Sequence, residues 1–225
     1  MPCASSVRRG TDGAFGRSRR LHRVDLDARP DDGLLTEEDA EHAGTSGVVW
    51  VVDPIDGTTN FVYDHAPYAV SIATAVDGLP VAGAVVEIRG DDRYTAALGS
   101  GSWRNGRRLA LAPPPQPAAA LVATGFNYDP ARRERQGAVL ARLIGSVRDV
   151  RRLGAASFDL CGVAAQRIDV YYEHGLGAWD IAAGRIIASE AGAAVEAVAG
   201  GPQVGDDVLA DHPDLIGPVR DLLLS

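Results

Sequence analysis

Over the first half of the chain, hydrophobic positions fall into short apolar or alternating runs rather than helical stripes. Val48 to Val52 is a continuous apolar run bounded by Gly47 and Pro54, the pattern of a buried strand. The stretch "YAVSIATAVDGLPVAGAVVEI" holds two alternating runs separated by Asp77-Gly78, a dipeptide that tolerates positive φ and favours a hairpin turn. Strand character returns from Arg93 to Leu98, and Asn105-Gly106 marks another tight turn, so an antiparallel meander is expected here. Residues 1 to about 30 show no hydrophobic period and read as irregular, with order expected from about Gly33.

"LAPPPQPAAA", Leu111 to Ala120, breaks all regular patterning, because consecutive prolines remove backbone donors and favour extended geometry. The spacing then predicts a strand over Ala120 to Thr124, helices over Pro130 to Ile144 and Ser157 to Gln166, a strand over Asp169 to Glu173 and a helix over Asp180 to Ala191. The expected organisation is an irregular arginine-rich segment (1–29), an α+β lobe (30–112), a proline-rich linker (113–117) and an α/β lobe (118–225). No internal repeat interrupts this plan.

With 225 residues, 46% of them hydrophobic, the chain is long enough to bury a sizeable core. A formal charge of −8 argues against a nucleic-acid partner, since phosphate-backbone binding draws on an excess of positive charge. Phosphate binding by such a chain would need metal ions, helix termini or local arginines. Lysine is absent while arginine is frequent, which carries no functional meaning by itself. Cys3 and Cys161 lie far apart and match no metal spacing, so a reduced, cytoplasmic protein is expected. No apolar run approaches the roughly 20 residues needed to cross a bilayer, and the N-terminal arginine-rich stretch lacks a secretory signal's apolar segment.

Candidate chemistry gathers where the Val48 to Val52 strand ends. Asp53 and Asp56 flank Pro54 and Ile55, and both acids together with the Ile55 carbonyl suit one hard cation such as Mg²⁺, which prefers oxygen ligands and keeps several waters. Gly57-Thr58-Thr59 then opens a helix whose free N–H groups would suit a phosphate. The competing reading of "DPIDGT" is a plain turn in which the aspartates bond the following backbone. Glu37-Glu38 upstream and Asp180, expected as the N-cap of its helix, supply further acids. The five histidines show no metal spacing, Cys161 falls on an apolar helix face, and Trp50, Trp103 and Trp179 read as packing residues.

"WVVDPIDGTTNF" (Trp50 to Phe61) and "WDIAAGRIIASEAG" (Trp179 to Gly192) resemble the two signatures of the inositol monophosphatase family of Mg²⁺-dependent, lithium-sensitive phosphatases. The resemblance runs from about Pro30 to the C-terminus and includes "ATGFNYD", "RRLGAASFDLC" and "VYYEHGLGAWD". It implies a layered αβαβα sandwich of the inositol monophosphatase and fructose-1,6-bisphosphatase type, and a homodimer. By position, Glu37, Asp53, the Ile55 carbonyl, Asp56 and Asp180 resemble the family's metal ligands, with Glu37 preferred over Glu38. Gly57 and Thr58 resemble its phosphate-binding turn, Thr58 also positioning the attacking water, while Gly154, Ala155, Ala156, Glu173 and Asp180 fall where the family contacts substrate. The implied reaction is direct hydrolysis of a small phosphate monoester, inositol 1-phosphate foremost, without a covalent phosphoenzyme.

Three departures accompany the resemblance. No Thr-x-x-Asp precedes Glu37, Thr11-Asp12 being the nearest sequence; Thr36 stands where the family has glycine, and Ala155 where many relatives have serine or threonine. The usual N-terminal helices are not expected, and residues 1 to about 28 read as a substitute for the ancestral N-terminus. Two rival readings follow: a histidinol-phosphate phosphatase, against which "DGTTNFVYDHAPYAVSIA" argues, and a family member that binds metal or partners with impaired turnover.

Overall fold

The structure, a computed structural model, describes residues 28–37, 42–200 and 207–224. Residues 1–27 of the arginine-rich segment, Thr11-Asp12 among them, and Glu38 therefore lie outside the described residues.

The alternating runs form a seven-stranded sheet: β1 (Gly33–Thr36), β2 (Val48–Asp56), β3 (Ala69–Val76), β4 (Leu79–Glu87), β5 (Arg93–Ala97), β6 (Gly101–Arg104) and β7 (Arg107–Leu109), in chain order. Only the β1–β2 pair is parallel, so the expected antiparallel meander is present. A five-residue helix, α1 (Thr58–Val62), follows β2 directly. The prolines after Leu111 carry no strand, and a 3-10 turn at Pro117–Ala119 leads into the second sheet.

That sheet has the order β11 (Ala194–Glu196), β12 (Asp207–Asp211), β10 (Val170–His174), β8 (Leu121–Thr124), β9 (Asp149–Arg151). Its helices are α2 (Pro130–Leu143), α3 (Ala156–Ala164), α4 (Ala178–Glu190) and α5 (Ile216–Leu224). The short elements β9, β11, β12 and α5 were not predicted from the pattern.

Packing decides the layering. Val170 and Tyr172 of β10 share a core with Leu143 of α2 and Val219 of α5, whereas Tyr171 faces the opposite way onto Leu160 of α3 and Ile181 of α4. The other sides of α3 and α4 place Phe158, Cys161, Ala183 and Ile187 against Val51, Ala73, Val85 and Tyr94 of the first sheet. Among the described residues the layers thus run sheet, helices, sheet, helices. Every residue of α3 is buried, which explains an apolar sequence without a polar stripe. Cys161 is buried in this middle layer, as expected.

Candidate functional site

β2 does not end at Val52 but continues through Asp53 to Asp56. In a regular strand two residues three apart point to opposite faces. Here Asp53 pairs with Ser71 and Asp56 with Ala69, so three steps on β2 match two on β3, a β-bulge. The extra residue restores both carboxylates to one face, and Pro54 is tolerated because the ladder is already interrupted there.

Asp53 and Asp56 are buried and Asp180 half-buried, and each has a carboxylate oxygen within 4.8 Å of the others. The Asp53 carboxylate accepts the Ile55 N–H at 2.8 Å, the local bond of the plain-turn reading, but that leaves its second oxygen free to face the cluster. Asp180 arrives on the first turn of α4. It sits at the third helical position rather than at the expected N-cap, and its carboxylate accepts the N–H of Gly177, the true N-cap, at 2.6 Å. Ser71 on β3, the partner of Asp53, donates to the Trp179 carbonyl at 3.3 Å and so ties the start of α4 to the strand-end acids.

Asp56 bonds most extensively. One oxygen accepts the Ala156 N–H at 3.0 Å; the other accepts the Ser157 N–H at 2.8 Å and the Ser157 hydroxyl at 2.6 Å. Ala155 occupies the N-cap position of α3 and has no capping side chain, so Asp56 caps the helix from 100 residues away. This role, and that of Ser157, was not foreseen; the serine beside a helix start was the available signal.

Burial raises the pKa of Asp53 first, followed by repulsion from Asp56, Glu37 and Asp180. Burial likewise raises Asp56, opposed by its bonds from Ser157 and Ala156, and pushes Asp180 up to about 8, with Asp56 adding to the effect. Ionised carboxylates crowded in this way require a cation to offset desolvation and mutual repulsion. The all-oxygen donor set fits a hard divalent ion, and Asp53, Asp56 and Asp180 are the side chains that would hold it. Glu37, exposed at the end of β1, faces the same cleft. The Ile55 carbonyl accepts the Thr58 hydroxyl at 3.1 Å and retains a second lone pair.

The cleft encloses about 240 Å³. Glu37, Asp53, Ile55, Asp56, Gly57, Thr58, Gly154, Ala156, Glu173 and Asp180 all line it, so the predicted residues are brought together from parts of the chain far apart in sequence. Ala155 is the exception: it is buried behind Gly57 and presents no side chain to the cleft. Gly57 has φ of 89°, and a Cβ there would lie 3.0 Å from the Gly154 carbonyl, so glycine is required both by conformation and by close approach. Asn60 reinforces the junction by donating to the carbonyls of Pro67 and Leu153, each at 2.7 Å. Burial raises Glu173 to about 7, partly offset by the Tyr171 hydroxyl that donates to it at 2.8 Å.

Arg152, Tyr128 and Trp179 also line the cleft. Arginine is too frequent in this chain for sequence to have selected Arg152. Trp50, read as packing, donates its indole N–H to Asp32 at 2.9 Å, and Trp103 is 37% exposed on β6 rather than packed.

These features define a layered α/β protein with a carboxylate cluster at a strand end whose oxygens suit a hard cation. The family model described as "Inositol monophosphatase family" matches residues 22–217, and the chain belongs to that family of metal-dependent phosphatases. It is 44% identical over 203 residues to the inositol-1-monophosphatase SuhB of Mycobacterium tuberculosis, covering 81% of this chain and 70% of that protein. A protein named Nus factor SuhB from Pasteurella multocida is 42% identical over 168 residues, 74% of this chain and 63% of the relative. Among solved structures, Mycobacterium tuberculosis SuhB superposes with a TM-score of 0.87 at 40% identity, covering 98% of this chain and 87% of that one. The expected fold class is therefore the observed one.

Proposed function

We propose that this chain hydrolyses a small phosphate monoester with Mg²⁺, inositol 1-phosphate being the leading substrate. The observation that carries this reading is the convergence of Asp53, Asp56 and Asp180 on one point of a cleft that Glu173 also lines. The name borne by the mycobacterial relative supports the choice of substrate. Magnesium bound by these carboxylates, the Ile55 carbonyl and Glu37 would neutralise phosphate charge and make water more acidic.

The chain's own residues supply alignment. The Gly57-Thr58 turn, free of a side chain at Gly57, lets the phosphate approach the backbone closely. Thr58, held by its bond to the Ile55 carbonyl, presents a fixed hydroxyl that orients the attacking water. Gly154 and Ala156 leave room for the alcohol, and Glu173 accepts hydrogen bonds from its hydroxyls. Water attacks phosphorus, the ester P–O bond breaks, and the alcohol leaves with a proton. Lithium inhibition, a homodimer and a cytoplasmic setting belong to the same proposal; no helix among the described residues is long and apolar enough to cross a membrane.

The test is phosphate release from inositol 1-phosphate by the purified chain with and without Mg²⁺, alongside Asp53→Asn. Activity that needs Mg²⁺ and falls by roughly a hundredfold or more in Asp53→Asn is expected. Equal release by both proteins, or exclusive turnover of histidinol phosphate, overturns the reading. A second reading, a metal-binding member with little turnover, is favoured by the absence of Thr-x-x-Asp before Glu37. Tight Mg²⁺ binding without phosphate release from any monoester would select it.

A further inference from the structure

β7 is the last strand of the first sheet and leaves one edge open. Beside it lies a hollow of about 410 Å³, lined by Arg104, Arg107, Leu109 and Ala110 from the β6–β7 hairpin and by Ala165 and Gln166 from the end of α3. It shares no lining residue with the cleft. Asp56 meets the first N–H groups of α3, whereas the hollow meets the far end of that helix, nine residues or about 14 Å further on.

The hairpin places like charges opposite each other. Asn105 and Gly106 both have positive φ, 50° and 79°, and close a two-residue turn that pairs Arg104 with Arg107 across the strands. The two side chains therefore share a face with Cβ atoms about 5 Å apart, an arrangement that costs stability unless an opposite charge offsets it. Arg104 has such an offset: its Nε and Nη2 donate to Asp92 at 2.9 and 3.0 Å, and its guanidinium stands 5.8 Å over the Tyr94 ring. Asp92 is then fully engaged, because Arg167 donates to it at 2.8 Å and the Asn105 amide and Tyr94 hydroxyl each at 3.4 Å. Arg107 is exposed, and its guanidinium forms no ion pair or hydrogen bond with a described residue. Glu190, the acid at the other end of β6, is occupied with the N–H groups of Gly99 and Gly101.

The open edge adds backbone donors. Bonded and non-bonded positions alternate along an antiparallel pair, so with Arg104 and Arg107 bonded across the turn, the N–H groups of Arg108 and Ala110 turn to the free side of β7. A peptide could add only a very short strand there, since the N–H of Leu111 is already bonded to the Ala191 carbonyl at 3.0 Å. The Arg108 side chain takes the other face by alternation, and its guanidinium lies over Gly101, with Nη2 3.2 Å from where a Cβ would stand. In a chain of net charge −8, guanidinium and N–H donors gathered at one hollow are a local inversion of sign.

We propose that the hollow beside β7 binds a compact phosphate-bearing anion at a second site, separate from the cleft. Arg107 supplies the free guanidinium, Arg104 the N–H groups that Asp92 leaves unused, and the edge of β7 its two outward N–H groups. The bound anion offsets the Arg104–Arg107 repulsion that the fold leaves uncompensated. The site requires no turnover at the strand-end acids and so stands apart from the phosphatase reading.

The test uses inorganic pyrophosphate with the full chain in the absence of divalent cations, where the strand-end acids repel an anion from the cleft. Calorimetric binding that weakens as salt is raised, and a Tm that rises with pyrophosphate, are expected. Arg107→Ala should weaken binding by about tenfold or more and remove the Tm rise, while Arg107→Lys, which keeps the charge but not the planar fork, should fall between. Arg108→Ala, on the other face, should bind within about twofold of the parent protein. Because Arg107 is exposed and its guanidinium unpartnered among the described residues, Arg107→Ala without ligand should keep its Tm within about 2 °C, which separates lost binding from lost folding. Absence of binding, or binding unchanged in Arg107→Ala, overturns the site. So does binding that appears only with Mg²⁺ and is lost in Asp53→Asn, which would put the anion in the cleft. Arg107-dependent capture of an extended acidic peptide when pyrophosphate fails to bind would overturn it in favour of strand addition.

Discussion

Ser157→Ala isolates the bond that joins α3 to the end of β2 at the site. The hydroxyl is fully buried and donates at 2.6 Å to Asp56, which keeps the Ala156 and Ser157 N–H groups in the variant. A hydrogen bond to a charged acceptor contributes about 1.5–3 kcal/mol. Alanine recovers up to about 0.5 kcal/mol of helix propensity in the first turn of α3. The expected net loss is about 1–2.5 kcal/mol, or roughly 2–10 °C in Tm for a domain of this size. Urea unfolding of both proteins measures it, and the same preparations give the Mg²⁺ concentration for half-maximal phosphate release, which should rise. A stability change within about 0.5 kcal/mol, the range of ordinary surface substitutions, together with unchanged Mg²⁺ dependence, would refute the long-range cap.

Gly57→Ala forces a Cβ into a left-handed turn 3.0 Å from the Gly154 carbonyl; a loss of about 1–3 kcal/mol by urea unfolding and a larger proportional loss of phosphate release are expected. Asp211 on β12 is fully buried with both carboxylate oxygens unpartnered among the described residues, and burial pushes it up to about 8 despite nearby Arg220. A raised carboxyl stabilises the fold fully below about pH 4 and progressively less as pH rises towards 8, by on the order of 4 kcal/mol at pH 7. Asp211→Asn should therefore flatten the fall of Tm between pH 4.5 and 8, and an unchanged slope would disprove the assignment. Gln136→Leu removes both bonds bracing α2 to His174 and Asn127; it should raise KM for the monoester more than it lowers kcat, because the end of β10 that bears Glu173 is loosened while the strand-end acids are untouched.

Much of this site was legible because its chemistry is local. Asp53, Asp56, Gly57 and Thr58 lie within six residues, and a proline between two acids behind an apolar run signals a constrained turn. The bulge was not legible, since an odd spacing on a strand predicts opposite faces and only the pairing to β3 shows the register shift. Asp180 was identified correctly as an acid on the first turn of its helix but misplaced by three positions, because Gly177 caps through backbone geometry that leaves no side-chain signature. The elements β11 and β9, three residues each, are too short for either period to register, and both are stabilised by pairing within the second sheet rather than by their own pattern.

The least legible feature is the one that assembles the site. Helix α3 begins at an alanine with no capping oxygen, and that alanine is Ala155, which stands in the sequence where many relatives have serine or threonine. In the fold the two observations have one cause. A serine or threonine at that position would offer the first N–H groups of α3 a local acceptor in competition with Asp56. With Ala155 packed behind Gly57, those donors turn to a carboxylate of the first sheet, and their partial positive charge favours its ionised form next to Asp53 and Asp180. Capping of α3 and the placing of Asp56 beside Asp53 and Asp180 are then the same interaction. Substitutions of Asp56 therefore disturb the start of α3 as well as the cluster, while Asp53, whose carboxylate bonds among the described residues only to its own turn, separates the two effects.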